Sequence, residues 1–156
     1  MAKMLENEAD IRNAAIALLA RREYSRAELV RKLGPRVEAE TMLASVLNQL
    51  EQDGYQSDQR FAEVFARSRL GSGYGQMRIR QELQRKGIAR ERIEQVLLEQ
   101  ETDSRQLALE CHQRRFGETS PADQKEYARR MRFLVNRGFS FEDARYAITH
   151  TGAEEG

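Results

Sequence analysis

Apolar residues recur at three- and four-residue spacing along most of this chain, and no stretch shows the strict alternation of a half-buried strand. Ile11, Ala15, Leu18 and Leu19 mark a first helix over about 7–22. Ser25-Arg26-Ala27-Glu28 reads as a capping box, in which serine and glutamate satisfy each other's free backbone N–H groups. It opens a short helix with Leu29, Val30 and Leu33 inward; a third helix, 38–52, buries Met42, Leu43, Val46, Leu47 and Leu50. Asp58 is the expected N-cap of a fourth, with Phe61, Val64 and Phe65 inward. The loop Gly71-Ser72-Gly73-Tyr74-Gly75 leads into a helix over 76–86 that buries Ile79 and Leu83, and Ile93, Val96 and Leu97 define the next. Leu107, Ala108, Cys111 and Phe116 follow. Ser120-Pro121 reads as a cap with proline at the first helical position, opening a long helix with Tyr127, Met131, Leu134 and Val135. Ser140-Phe141-Glu142-Asp143 caps a last helix carrying Ala144, Ala147 and Ile148, and the tail from Thr151 is expected to fray. The pattern predicts nine helices and an all-α fold.

The helices group in threes. Leu29-Val30-Arg31-Lys32-Leu33, Leu83-Gln84-Arg85-Lys86-Gly87 and Leu134-Val135-Asn136-Arg137-Gly138 each fall late in a helix, with a cation three residues after the leucine. Glycine at 87 and 138 suits the left-handed position that ends a helix, with Ile88 or Phe139 folding back on the last turn. Gly34-Pro35 stops the first copy by another route. Such self-similarity predicts three tandem three-helix repeats, over 1–54, 55–102 and 103–156.

Composition narrows the class. Of 156 residues 33% are charged and 40% hydrophobic, which favours a folded chain with much surface over a disordered one. A single cysteine excludes an internal disulfide framework and fits a reducing compartment. No apolar run approaches a membrane span, and acids stand in the N-terminal segment where a signal peptide would be apolar, so a cytoplasmic location is expected.

Charge adds what hydropathy does not. The formal net charge runs +3 over 1–36, −5 over 37–59, +6 over 60–92, −4 over 93–104, +4 over 105–137 and −3 over 138–156. The total of +1 therefore hides three basic islands phased with the repeats. Lysine stands only at 3, 32, 86 and 125, so most cations are arginines. Genomic base composition would produce that excess, and so would selection for a planar fork that grips phosphate and carboxylate. Arg78, Arg80, Arg85 and Lys86 form the sharpest basic set. Arg21-Arg22, Arg67 with Arg69, and Arg114-Arg115 recur near the ends of the first helices of the three repeats, and Lys32 belongs to the first copy of the motif. A helix C-terminus attracts cations anyway; recurrence at equivalent positions favours a binding role for all eleven.

Catalytic and metal chemistry find little support. His112 and His150 are far apart in sequence, no Cys/His metal spacing exists, and Cys111 lies on an apolar stripe as inert packing. The 71–75 loop before a helix start resembles a phosphate cradle, but lacks the preceding strand and the Gly-Lys-Ser/Thr ending, and reads better as a flexible connector. An enzyme, a cofactor and a metal are not expected.

Tyr24-Ser25-Arg26-Ala27-Glu28-Leu29 with Lys32-Leu33, Gly54-Tyr55 with Asp58 and Arg60-Phe61-Ala62, and Arg78-Ile79-Arg80-Gln81-Glu82-Leu83 with Lys86-Gly87-Ile88 resemble the RecX family, regulators of the bacterial RecA recombinase. The likeness covers about 10–150, with departures at Gly75-Gln76 and Gln56-Ser57, where the family usually has Gly-Pro and Leu-Asp. It implies an elongated, curved array of three-helix repeats. It also implies a monomer that lies in the groove of the RecA–single-stranded DNA filament and inhibits ATP hydrolysis, strand exchange and coprotease activity, binding naked single strands only weakly. A stand-alone nucleic-acid-binding module is the alternative.

Overall fold

The computed structural model describes residues 3–151, and among these every regular element is helical. In chain order these are α1 (Glu8–Leu19), α2 (Arg26–Leu33), α3 (Glu40–Gln52), α4 (Asp58–Gly71), α5 (Gln76–Arg85), α6 (Arg90–Glu99), α7 (Ser104–Phe116), α8 (Gln124–Asn136) and α9 (Phe141–His150). A 3₁₀ turn at Gly34–Arg36 follows α2, which is the alternative helix stop expected from Gly34-Pro35.

Local chemistry accounts for most helix starts. Asn7, Asp103 and Ser140 each accept the backbone N–H three residues on, and Ser25 and Glu28 form the reciprocal capping box. Two caps differ from expectation. Ser57, not Asp58, opens α4: its hydroxyl accepts Arg60 N–H at 3.1 Å and its carbonyl accepts Phe61 N–H at 2.9 Å. Asp58 sits one residue further in, where its carboxylate accepts Arg26 N–H at 2.9 Å at the start of α2. Ser120-Pro121 likewise does not open α8. Asp123 accepts Glu126 N–H at 2.9 Å while Glu126 accepts Ala122 N–H at 3.1 Å, and this pair of bonds starts the helix later. The first helix also ends at Leu19, and the third begins at Glu40 rather than 38.

Two compact units divide the chain. The first takes the residues up to Val64 together with Leu83–Ile93; the second takes Phe65–Glu82 together with the chain from Glu94 on. Ile11, Leu29, Leu33, Leu47 and Leu50 fill the first core. In the second, α7 packs on α9 through Ala108, Ala144 and Ala147, all fully buried, with Leu109, Leu134 and Ile148 completing the core. Small residues along that seam let the two helices approach closely. Val30, Val64 and Val135, expected inward, are each 43% exposed. Val30 and Val135 follow the buried Leu29 and Leu134, and a one-residue step of about 100° carries them to the rim of the apolar stripe; Val64 stands between the half-buried Glu63 and Phe65.

The repeat shows itself in a recurring junction. Gly87 (φ +82°) and Gly138 (φ +104°) end α5 and α8, with Ile88 N–H and Phe139 N–H bonded back to Leu83 and Leu134 carbonyls at 3.1 and 3.2 Å. In the first unit, the opening turn of α2 rests on the Gly87 turn: Ser25 Oγ donates to Lys86 carbonyl at 2.7 Å, and a Cβ on Gly87 would lie 2.5 Å from Ala27 Cβ. In the second, the opening turn of α5 rests on the Gly138 turn in the same manner. Gly75 N–H donates to Arg137 carbonyl at 2.8 Å and Met77 N–H to Gly138 carbonyl at 3.0 Å. The 71–75 segment is thus no flexible connector, since Gly73 and Gly75 are buried. Nor is it a phosphate cradle, because the N–H groups of Ser72, Gly73, Tyr74 and Gly75 all have backbone acceptors.

At the other end of the chain, Thr151 is buried rather than frayed; residues 152–156 lie outside the described part. Its hydroxyl contacts His112 Nδ1 at 2.6 Å and donates to Ala147 carbonyl at 2.7 Å. His112 Nε2 lies 3.3 Å from Arg130 Nη1, and a guanidinium can only donate. His112 is therefore the neutral tautomer with its proton on Nδ1, donating to Thr151. Burial first, and the Arg130 charge second, push this imidazole down to about 4.

Candidate functional site

The eleven cations singled out in the sequence fall into two kinds. Five are engaged by carboxylates of the protein itself. In the first unit, Glu28 accepts Ser25 N–H at 3.0 Å, both terminal nitrogens of Arg22 at 3.2 and 3.3 Å, and Lys86 Nζ at 3.0 Å. Burial alone would raise the Glu28 carboxyl, but these donors outweigh it and hold the group below the usual carboxylate range. Arg22 also stacks on Tyr24, 3.6 Å from the ring centre. Lys86 thus bridges repeats instead of reaching for solvent along the helix. In the second unit, Arg80 grips Glu94 through two bonds of 2.5 and 3.0 Å, while Arg69 and Arg78 share Glu82 at 3.2 and 3.3 Å.

The other six, Arg21, Lys32, Arg67, Arg85, Arg114 and Arg115, are exposed and form no ion pair among the described residues. Arg85 contributes its carbonyl, which accepts Arg31 Nη2 at 2.5 Å.

Within the second unit the fold gathers one arginine surface out of residues distant in sequence. Tyr74 stands at its centre, with Arg78 and Arg137 each 4.5 Å from the ring and Arg69 at 5.6 Å. Arg137 also lies 5.3 Å from the Phe133 ring, and Arg115 approaches the same ring at 5.6 Å. Arg114, Arg115 and Arg137 line one cavity with Ser72, Cys111 and Phe133. Four guanidinium groups therefore lie over two aromatic rings with Arg114 beside them, and Glu82 pairs with Arg69 and Arg78. Arg69 and Arg78 are engaged by Glu82, while Arg114, Arg115 and Arg137 form no ion pair among the described residues.

Sequence reasoning found Arg69, Arg78, Arg114 and Arg115 but missed Arg137, Tyr74 and Phe133. The signal for Arg137 was present, since it occupies in the third repeat the position Lys86 holds in the second. The aromatic members had none, because only the loop crossing onto Gly138 brings Tyr74 to Arg137.

Fold and surface together define a helical repeat protein with an arginine-rich face. Comparison with known proteins narrows this. Residues 57–97 match the family domain described as RecX, second three-helix domain, and residues 101–148 the one described as RecX, third three-helix domain. The regulatory protein RecX of Chromohalobacter salexigens is 47% identical over 94% of this chain and 96% of its own length. That of Pseudomonas putida strain GB-1 is 42% identical over 91% of each. The crystal structure of RecX from Lactobacillus salivarius shares the fold with a TM-score of 0.76, at 21% identity over 94% of this chain and 97% of that one. The chain belongs to the RecX family of regulatory proteins. Among the described residues no helix is long and apolar enough to cross a membrane.

Proposed function

We propose that this protein binds the nucleoprotein filament formed by the RecA recombinase on single-stranded DNA and holds down its ATP hydrolysis, strand exchange and coprotease activity. It acts in the cytoplasm as a monomer without catalysis of its own. The observation that carries this reading is the clustering of Arg114, Arg115 and Arg137, none ion-paired among the described residues, beside Arg69 and Arg78, which share Glu82, in one unit of a RecX-family chain. Guanidinium groups so placed suit phosphate or carboxylate, and both are presented by a filament of protein on DNA.

The engaged cations refine which residues do the binding. Arg22, Lys86 and Arg80 are held by Glu28 and Glu94, and they serve packing between helices. The unpaired arginines are the contact residues. A purely basic protein would coat any DNA, whereas the near-neutral total of +1 makes naked strands a weak partner. The testing experiment is the DNA-dependent ATPase of RecA. Inhibition is expected below saturation of the DNA, and its absence at several-fold excess would overturn the reading.

A further inference from the structure

The cavity bounded by the 72–73 turn, α7 and α8 has the makings of a site more specific than a general basic surface. It encloses about 150 Å³. Arg114, Arg115 and Arg137 open onto it, and none of the three forms an ion pair among the described residues. No carboxylate lines it. Cys111 and Phe133 give it an apolar side. Burial raises the Cys111 thiol against the smaller opposing pull of Arg137 and Arg114, so the sulfur adds no negative charge. Gly73 (φ +87°) forms part of the wall, with Arg114 Nη1 and Cys111 Sγ at ordinary contact distance from where a Cβ would lie.

From this geometry we infer that the cavity binds a terminal phosphate monoester, the group found at a phosphorylated strand end or on a free nucleotide. Three uncompensated guanidinium groups match a dianion better than the single charge of an internal phosphodiester. The volume suits one or two phosphoryl groups. The Ser72 hydroxyl donates to the Ser68 carbonyl at 3.0 Å, so the guanidinium groups supply the donors. Loop N–H groups take no part, since all are bonded within the backbone.

The inference specifies the ligand of one part of the arginine surface on which the filament reading rests, and its test is kept separate from that reading. Binding of the full-length protein alone, without RecA, is measured by fluorescence anisotropy on one oligonucleotide carrying either a 5′-phosphate or a 5′-hydroxyl. Pyrophosphate and ATP serve as competitors. The phosphorylated end is expected to bind about fivefold tighter or more, as a charge-assisted guanidinium site implies. The preference should vanish in Arg114→Gln/Arg115→Gln, with helical content by circular dichroism unchanged. Competition by pyrophosphate or ATP without an end preference assigns the site to nucleotides; an end preference assigns it to strand ends. Equal binding of both ends with no competition overturns the inference. Inhibition of RecA by the same wild-type preparation would then still stand, so the two failures are distinguishable.

Discussion

Gly75 and Gly138 pass so closely that a Cβ on either would overlap the other's backbone: Gly75's would strike the Gly138 carbonyl, and Gly138's would lie 2.8 Å from Gly75 oxygen. The crossing places Tyr74 against Arg137 and thereby assembles the arginine surface. It has a counterpart in the first unit, where Gly87 meets Ala27. Glycine at the ends of α5 and α8 is thus a packing requirement as well as a helix stop.

Gly138→Ala combines that overlap, 2.5 Å to Arg78 Cβ, with a φ of +104° that L residues avoid. A loss of about 3 kcal/mol is expected from overpacking and backbone strain together. Gly71→Ala is the control: it lies at the end of α4 with nothing within 4 Å of its Cβ, and should gain roughly 0.5 kcal/mol. Urea unfolding of both variants checks the pair. Equal effects would show that the crossing is looser than described.

Stability should also depend on pH through His112. Its folded value of about 4 lies below the ordinary 6.5, so between these the unfolded chain takes up a proton that the folded chain refuses. Stability is therefore full above pH 6.5 and falls as the pH drops towards 4. At pH 5 the loss amounts to about 2 kcal/mol from this group. Denaturant midpoints at pH 7 and pH 5, compared between wild type and His112→Gln, measure it. A wild type no more sensitive than the variant would refute the neutral tautomer.

Glu28 titrates in the neighbouring window. Its carboxyl lies below the usual range in the folded protein, so it stabilises above that range and loses its contribution as the pH falls through the folded value. Glu28→Ala removes the acceptor of Ser25 N–H, Arg22 and Lys86 together. A loss of about 2 kcal/mol is expected for a buried, charge-assisted cluster. The double-mutant cycle with Lys86→Ala should show coupling, and strict additivity would mean that the 3.0 Å contact contributes nothing.

Much of the fold was legible in the chain, and the reason lies in local chemistry. The helix stops at Gly87 and Gly138, the capping box at Ser25 and the core positions Ile79, Leu83 and Leu134 all depend on residues within one helical turn. What escaped depends on distance. Ser120-Pro121 offered a plausible cap, but Asp123 and Glu126 bond each other's turn and win. The buried His112–Arg130–Thr151 cluster joins three elements that no periodicity links. For the site, residue type marked the arginines but could not say which were engaged. Lys86 and Glu28 are 58 residues apart, and Arg80 and Glu94 are 14 apart, so their pairing emerges only from the fold.

The central claim is that unpaired arginines of the second unit, and not the internally paired ones, hold the RecA filament. The direct measurement is inhibition of RecA's DNA-dependent ATPase by wild type, by Arg114→Glu/Arg115→Glu and by Arg80→Gln, each titrated at fixed filament concentration. Wild type and Arg80→Gln should inhibit with half-maximal concentrations within about twofold, while the double reversal should require tenfold more or fail, as expected on removing charge contacts of this kind. Equal inhibition by all three proteins would contradict it.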